Sequence, residues 1–191
     1  MKADHLLDRR IRRTRRALRQ TLQDLLGEKQ FEQITVREIA ERADISYPTF
    51  FRHYADKDAL LSELMTEEIS DLLDQVLPMF TSAGSLDSVT AMCVHVKDKE
   101  RIWSPLLTGG AAGNVRSTFI AQVEDRAAVW PERTDWLPAE IGTQLLCSVT
   151  LDVLSWWLGK AQSTSISDVA TILARFFSVV EPSKSIAKRR V

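Results

Sequence analysis

Residues 35–61 contain three helix starts in quick succession, and this punctuation constrains the fold more than any other feature of the sequence. Thr35 and Glu38 form a capping box, S/T-x-x-E, in which each side chain bonds the backbone N–H of the other residue. The pattern predicts a short helix that stops near Asp44, because Asp tolerates the left-handed or bridge backbone that a tight turn demands.

Ser46 then predicts a second N-cap, since Pro48 falls in the first turn of the next helix, where its missing N–H costs little. That helix has room for only about two turns, because Asp56 predicts the cap of a fourth, longer helix. Two short helices joined by a tight turn, the second opening with small or polar residues, predict a helix-turn-helix.

Apolar residues recur at three-, four- and seven-residue spacings along almost the whole chain, which predicts helices and no sheet. The first helix ends near Gly27 and the fourth ends at Pro78. The later helices are predicted at residues 86–97, 100–107, 115–130, 139–162 and 167–180, with loops at 108–114 and 130–138. We therefore predict an all-α chain, with a three-helix DNA-binding head over residues 1–56 and a helical body over residues 57–191.

The second helix of this motif combines aromatic and cationic side chains in a way that suits neither a core nor a solvated surface. Tyr47, Pro48 and Thr49 lead the helix, where they can touch thymine methyls and base edges in the major groove. Phe50 and Tyr54, four residues apart, are predicted to face the core of the head. A small helical hairpin with aromatic packing is the alternative.

Charge is unevenly distributed along a chain whose net charge is −1. Residues 1–57 hold 13 Lys/Arg against 9 Asp/Glu, whereas residues 58–191 hold 12 against 17. Eight of the first 20 residues are Lys or Arg. A basic end on a near-neutral chain indicates a polyanionic partner, although a solvated charge run gives the same pattern.

Residues 10–61 resemble the DNA-binding domain of the TetR family of transcriptional regulators, through "ITVREIAERADIS", "TFFRHY", Lys57 and "ALL". The resemblance implies a dimer that binds a near-palindromic DNA duplex and often a small-molecule inducer. The stretches "RIWSPLLTGGAAG" and "WWLGKA" are similar to one branch, the regulators of dihydroxyacetone kinase genes. That branch keeps open a body that binds a partner protein instead of a small molecule.

Carried over position by position, the resemblance implies phosphate contacts at Thr35, His53 and Lys57. It implies base-edge contacts at Arg37, Tyr47, Pro48 and Thr49. Phe51 stands where the family usually has Tyr, which removes a phenolic hydrogen bond to phosphate. Together with Ser46, Phe51 and Arg52 from the same stretch, the predicted DNA-binding residues are Thr35, Arg37, Ser46, Tyr47, Pro48, Thr49, Phe51, Arg52, His53 and Lys57.

The middle helices of the body are predicted to enclose an effector cavity, although aromatic-rich segments of this kind also form simple cores. The candidate cavity residues are Leu72, Met92, His95, Trp103, Phe119, Val123 and Trp130.

The helix at 139–162 is apolar nearly all round and needs partners on every side, which predicts a four-helix interface between two chains rather than a monomer with a central helix. The candidate interface residues are Leu145, Val149, Val153, Trp156, Val169, Leu173 and Phe176. Asp152, within that helix, is expected to pair with a cation or amide, or to lie at the rim.

The sequence argues against an enzyme, a cofactor and a metal site. "TGGAAGN" lacks the lysine and the preceding strand of a phosphate-binding loop, and the three His residues share no metal spacing. Two distant cysteines, Cys93 and Cys147, are expected to be reduced core thiols. The charged N-terminal region and the lack of a membrane-spanning apolar run predict a cytoplasmic protein.

Overall fold

A computed structural model describes residues 2–82, 85–127, 137–161 and 163–180. Trp130 and most of the loop predicted at 130–138 lie outside these residues. The described residues form nine α-helices, a short 3-10 turn at Phe31–Gln33 and no strand. The helices are α1 (Lys2–Leu26), α2 (Val36–Arg42), α3 (Tyr47–Phe51), α4 (Lys57–Ser82), α5 (Ser85–Asp98), α6 (Glu100–Thr108), α7 (Ala112–Ala127), α8 (Ala139–Lys160) and α9 (Ile166–Val180). The all-α prediction is confirmed.

The head is built from α1, α2 and α3 with the start of α4. Helix α1 buries one stripe of leucines at helical spacing, and these meet Ile39 of α2 and Phe50 of α3 in one core. The stripe consists of Leu18, Leu22, Leu25 and Leu26. Because α3 is only five residues long, its orientation depends on this core and on the turns at both of its ends.

The predicted caps lie where the sequence placed them, with two differences in their bonds. Thr35 caps α2 and accepts a hydrogen bond from the backbone N–H of Glu38 at 3.2 Å. The carboxylate of Glu38 lies 2.6 Å from the ammonium of Lys29. It therefore forms an ion pair with Lys29, whereas in a capping box it would accept a hydrogen bond from the backbone N–H of Thr35. Ser46 is the N-cap residue of α3, but its hydroxyl bonds the hydroxyl of Thr49 at 2.7 Å and not a backbone N–H.

Two other local predictions hold in detail. Asp44, in the turn between α2 and α3, has φ of 54°, which is the left-handed conformation expected for this corner. The carboxylate of Asp56 accepts a hydrogen bond from the N–H of Ala59 at 2.7 Å, at the start of α4. The turn after α2 therefore contains the expected left-handed residue, and the start of α4 has the expected cap.

The body packs helices α4 to α9 around a core that continues from the head. Helix α5 lies against both α4 and α9, while α8 packs on α6, α7 and α9. The largest wholly buried side chains of the body include Trp103 of α6 and Trp157 of α8. Helix α4 runs through both regions, so it connects the DNA-binding head to the packed centre of the body.

The prediction that Pro78 ends the fourth helix is wrong, since α4 continues to Ser82. Proline fixes φ near the helical value and removes one N–H bond, a loss that packing of Val76 and Leu77 in the preceding turn can offset. The loop predicted at 108–114 is also shorter, because α7 already begins at Ala112.

One described helix, at Glu140–Lys160, is long and apolar enough to cross a membrane by length and composition. Within this chain, 44% of its most apolar window is buried against other helices. The core helices of soluble proteins pass the same test, so this is weak support for a membrane span.

Candidate nucleic-acid interface and the surfaces of the body

The ten predicted DNA-binding residues all keep exposed or half-exposed side chains on the head. Thr49, His53 and Lys57 are half-buried, and the other seven are exposed. Phe50 and Tyr54, predicted to face inward, are 0% and 5% exposed. The two aromatic pairs of this stretch are therefore separated, one in the core and one on the surface.

Tyr47 and Phe51 form the apolar part of this surface. Their side chains are 50% and 45% exposed, and their rings meet edge to face at 5.0 Å between centroids. Phe51 also packs edge to face on the buried Phe50 at 5.4 Å, which holds the exposed pair in place. An ordered aromatic surface on a short exposed helix is suited to contact with base edges and methyl groups.

A charged network fixes the end of α3 against α1 and α4. The hydroxyl of Tyr54 donates to Glu63 at 3.0 Å and accepts from Nε of Arg15 at 3.3 Å. Glu63 also pairs with Arg15 and, at 2.5 Å, with Arg19. Burial alone would raise the pKa of Glu63, but the hydrogen bonds from Arg19 and Tyr54 and the two arginine charges hold it below its usual value.

This network was not predicted from the sequence. Arg15 and Arg19 fall within a run of arginines, and Glu63 lies 44 residues further along the chain than Arg19. The amphipathic pattern of α1 places arginines on its polar face but does not say which of them have a partner.

His53 lies just after α3, half-buried beside this network. Burial, and then the charges of Arg15 and Arg52, lower the pKa of His53 below the ordinary imidazole value. The ring is therefore neutral near pH 7 in the unbound protein. A phosphate placed against it would have the opposite effect and favour the charged form.

Lys57 has a structural role that the resemblance did not suggest. Its Nζ donates to the carbonyl oxygens of Ile34 at 2.8 Å, Phe31 at 2.9 Å and Glu32 at 3.3 Å. It also lies 4.5 Å from the centre of the Phe31 ring. An ammonium has three N–H donors, so this group fastens the segment before α2 to the start of α4. A phosphate contact by Lys57 stays a prediction.

A second polar cluster joins the head to the body. Glu68 of α4, 6% exposed, accepts hydrogen bonds from Gln23 of α1 at 3.0 Å and from Lys99 at 2.8 Å. Lys99 lies between α5 and α6, so one carboxylate connects three parts of the chain. Movement of the body relative to α1 would have to break these bonds.

The body contains a narrow apolar cavity of about 50 Å³. Four of the predicted cavity residues, Leu72, Met92, Phe119 and Val123, line it together with residues of α8 and Phe177 of α9. A volume of this size admits a few water-sized spheres, whereas sites for drug-sized ligands span roughly 300–1,000 Å³. A ligand of that size would have to expand this site.

His95 and Trp103 do not line this cavity, which corrects their assignment to it. Trp103 is wholly buried and acts as core, with no partner for its Nε1 among the described residues. His95 Nδ1 lies 2.7 Å from the amide oxygen of Gln75, and burial, followed by the charge of Lys99, lowers the pKa of its imidazole. The sequence pattern shows which residues of α5 and α6 are apolar. Which of those side chains point into the cavity depends on how the helices are rotated when they pack together.

An apolar stripe runs along the outside of α8. Ile141, Leu145 and Trp156 are 44–50% exposed, and Val149 and Val153 are half-buried beside them. Phe176 of α9 is also exposed, at 48%. Asp152 forms an ion pair with Arg116 on this face, in agreement with the expectation that it pairs with a cation. Five of the seven predicted interface residues are thus open to a partner.

Val169 and Leu173, the other two, are wholly buried within their own chain. They pack in the core of the body, where α9 lies against α5 and α8. Their assignment to a dimer interface is therefore wrong. The wide apolar stripe of α9 has an inner half and an outer half, and only the outer half is free for another chain.

Both cysteines are free thiols in the core, as predicted, with Cys93 0% and Cys147 4% exposed. Burial raises the pKa of each thiol to about 12, which leaves them protonated and unreactive. Among the residues that the structure describes, no group of three or more His, Cys, Asp or Glu side chains could hold a metal ion.

Comparison with known proteins identifies the head. Residues 21–64 match the family model for bacterial regulatory proteins of the tetR family. An uncharacterised helix-turn-helix transcriptional regulator of Bacillus subtilis, YxbF, is 37% identical over 71 residues, or 37% of this chain and 19% of that protein. A similar regulator of Haemophilus influenzae is 34% identical over 82 residues, or 41% of this chain and 40% of its own length. These matches thus span less than half of either relative.

Solved structures extend the likeness to the whole fold. A TetR transcriptional regulator of Streptococcus agalactiae superposes with a TM-score of 0.68 at 23% identity, covering 93% of this chain and 99% of that one. NalD, the secondary repressor of the MexAB-OprM multidrug efflux pump of Pseudomonas aeruginosa, gives 0.64 at 17% identity, covering 90% and 97%. The likeness to the dihydroxyacetone kinase branch stays a prediction. The helix-turn-helix head thus matches the family model for bacterial regulatory proteins of the tetR family, and the chain as a whole has the fold of solved TetR regulators.

Proposed function

We propose that this protein is a cytoplasmic transcriptional regulator that binds a specific DNA duplex as a homodimer and represses transcription until a small hydrophobic effector releases it. The observation that carries DNA binding is the exposed face of α3, where Tyr47 and Phe51 are ordered on a buried Phe50. Of the five residues of this helix only Phe50 is buried, so the face that carries Tyr47 and Phe51 is left open to a partner. It is suited to the major groove, which accepts one helix with its first residues at the base edges.

The contacts divide into two kinds. Arg37, Tyr47, Pro48 and Thr49 are placed to read base edges, while Thr35 and His53 flank them and would contact phosphates. Because phosphate contacts carry no sequence information, Arg37→Ala should relax the preference at particular base pairs, by about 1–3 kcal/mol at each. His53→Ala should weaken binding to all sequences alike.

Selection from randomised duplexes tests this proposal. The wild-type protein should enrich a near-palindrome whose half-sites lie about one helical turn apart, since a two-fold dimer presents two copies of α3. Lack of any enriched sequence at physiological salt would contradict the proposal. A single unrepeated half-site would retain DNA binding and contradict the dimer.

Dimerisation is supported by the apolar stripe of α8 with Phe176 of α9. Exposed apolar side chains at helical spacing on two adjacent helices suit a four-helix interface with a second copy. Leu145→Glu should convert the dimer to a monomer in analytical ultracentrifugation and lower operator affinity. Val94→Glu is the matched control, because Val94 is 40% exposed on α5, outside this stripe. If both variants remain dimers, the interface lies elsewhere.

The effector is supported by the apolar lining of the cavity and by the position of α4. Leu72, Leu73 and Val76 of α4 line the cavity, while the other end of the same helix holds Tyr54 through Glu63. An occupant that expands the cavity would tilt α4 and move His53 relative to the DNA. The ligand must prefer the tilted state, since equal binding to both states shifts nothing.

A partner protein that docks on the body is the second candidate function, favoured by the small volume of the cavity. Val123→Trp, which fills the cavity, separates the two candidates in a reporter assay with the natural promoter. Release by a small molecule should disappear while operator binding survives. Unchanged release would favour the partner protein.

A further inference from the structure

The N-terminal half of α1 carries a cluster of arginines, from Arg9 onward, that the helix-turn-helix does not use. Residues 9–13 are all exposed to solvent. Four of these five residues are arginines, and Arg16 continues the row one turn further on. A helical segment exposed on every face gains nothing from tertiary packing and depends on its own side chains.

Those side chains oppose the helix when it is alone. Arg9 and Arg13 stand four residues apart, where like charges destabilise an isolated helix. Neutralisation by an anion would remove this repulsion. The segment is therefore a helix whose stability would increase on contact with a polyanion.

The row is continuous with the helix-turn-helix surface. Arg15, the last arginine before Arg16, donates to the hydroxyl of Tyr54 at 3.3 Å, and its guanidinium lies 5.4 Å from the centre of the Tyr54 ring. Tyr54 directly follows Arg52 and His53 at the end of α3. The charge of Arg15 also contributes to the lowered pKa of His53, as expected for neighbouring cations. The arginines of α1 are thus adjacent, through Arg15 and Tyr54, to the proposed phosphate contact at His53.

The arginines divide into those held by acidic partners and those at the outer end. Arg15 and Arg19 pair with Glu63, and Arg19 also lies 2.8 Å from Glu67. These pairs anchor the base of α1 to α4, so the helix leaves the head in a fixed direction. Arg9, Arg13 and Arg16 stand on the exposed part of the row.

We propose that the outer turns of α1, through Arg9, Arg13 and Arg16, bind the phosphate backbone of DNA that flanks the half-site read by α3. The inference rests on the proposed DNA-binding function and extends its footprint. Guanidinium groups suit phosphate because their N–H donors match its oxygens in pairs. The contact adds affinity and salt dependence but no sequence preference, because phosphates are the same at every base pair.

The test uses full-length protein and two duplexes that contain the selected operator. One duplex ends at the operator, and the other extends it by about one helical turn on each side. The variant carries Arg9→Gln, Arg13→Gln and Arg16→Gln. The control carries Arg101→Gln, Lys160→Gln and Arg175→Gln, which removes the same charge from exposed positions of the body. A third variant, with Arg9→Lys, Arg13→Lys and Arg16→Lys, retains the charge.

Wild type should bind the longer duplex more tightly by about tenfold at moderate salt, with a steeper salt dependence. The glutamine variant should lose this gain, and its salt slope should fall by about 0.9 for each phosphate contact removed. The control and the lysine variant should behave like wild type. If the glutamine variant keeps the gain on the longer duplex, or if the control loses it equally, the inference is wrong.

Failure of the proposed function gives a different result. If wild type selects no operator, the same variants are compared on an arbitrary duplex, where the arginine row should still set the salt slope. Equal slopes for the glutamine variant and the wild type on that duplex would overturn the inference on its own. Amide hydrogen exchange supplies a second readout, since residues 9–16 should become protected on addition of DNA and remain unprotected in the glutamine variant.

Discussion

The head and the body of this protein are stabilised in different ways. In the head, short helices pack on a small apolar core, and individual polar side chains add directional bonds to it: Lys57 on three carbonyl oxygens and Tyr54 on Glu63. In the body, longer helices are positioned by apolar packing, which leaves a cavity of about 50 Å³ in the centre and an apolar stripe on α8. Directional bonds hold one geometry, whereas apolar contacts can be exchanged with little change in free energy.

This difference suits the two tasks we propose. A helix that reads base edges has to keep its side chains fixed within a fraction of an ångström. A body that responds to an effector has to adopt a second packing at small cost. Glu68, bonded to Gln23 and Lys99, lies at the junction and would transmit a change from one to the other.

The largest expected effect tests whether the core of the head sets the position of its surface. Phe50→Ala should lower the free energy of unfolding by about 3–5 kcal/mol, because it removes a wholly buried ring. Phe51→Ala is the control, since its ring is 45% exposed. It should change stability little and reduce operator affinity. Urea unfolding and fluorescence anisotropy measure the two quantities, and similar losses of stability in both variants would contradict this division.

The second effect tests the fastening by Lys57. Lys57→Met keeps much of the side-chain volume but leaves carbonyl oxygens before α2 without their donor. We expect a loss of about 1.5–3 kcal/mol in the free energy of unfolding, as for hydrogen bonds to a charged group. Arg37→Met, at an exposed position of α2, should leave stability nearly unchanged. A Lys57→Met variant as stable as wild type, with weaker DNA binding, would restore the simple phosphate contact.

The third effect concerns pH and belongs to the head alone. His53 has a lowered pKa in the unbound protein, and a neighbouring phosphate would raise it, so binding should take up a proton. Operator affinity should therefore increase as pH falls from 8 to 6, by up to about tenfold if the two pKa values differ by one unit. His53→Gln should remove most of this dependence. An equal pH dependence in the variant would assign the proton to another group.

The smallest effect tests whether the body has free space at its cavity. Val123 lines the cavity, so Val123→Ile should be neutral or stabilise the protein by about 0.5–1 kcal/mol. Val115, on the same helix, is wholly buried and does not line the cavity. Val115→Ile should cost about 1–3 kcal/mol through overpacking. Thermal unfolding of the two variants compares them, and equal losses would mean that the cavity is closed in solution.

The sequence predicted features that depend on neighbouring residues and missed those that depend on distant ones. Thr35, Asp44 and Asp56 act within four residues of their own positions, so their roles could be predicted from local patterns. Glu38 lies 2.6 Å from Lys29, and Lys57 reaches carbonyl oxygens more than 20 residues away. Bonds of this kind appear only when the helices are packed together.

The candidate sites follow the same rule. The exposed face of α3 was predicted almost completely, because a five-residue helix between two caps has few possible registers. In the body, the sequence pattern identified Val169 and Leu173 as apolar but did not distinguish the core from a dimer interface. It also did not show whether the side chain of His95 points into the cavity. A helix that is apolar on a wide stripe does not specify which part of the stripe its own chain will cover.

The burial of both cysteines makes the protein convenient for distance measurements. Since the sequence contains only Cys93 and Cys147 and both thiols are protonated in the core, native protein should resist maleimide and nitroxide reagents. A single cysteine placed at an exposed position such as Glu41 would then take one label per chain without prior removal of the native thiols. Pulsed electron resonance between the two labels of a dimer would report the spacing of the heads directly, with and without DNA.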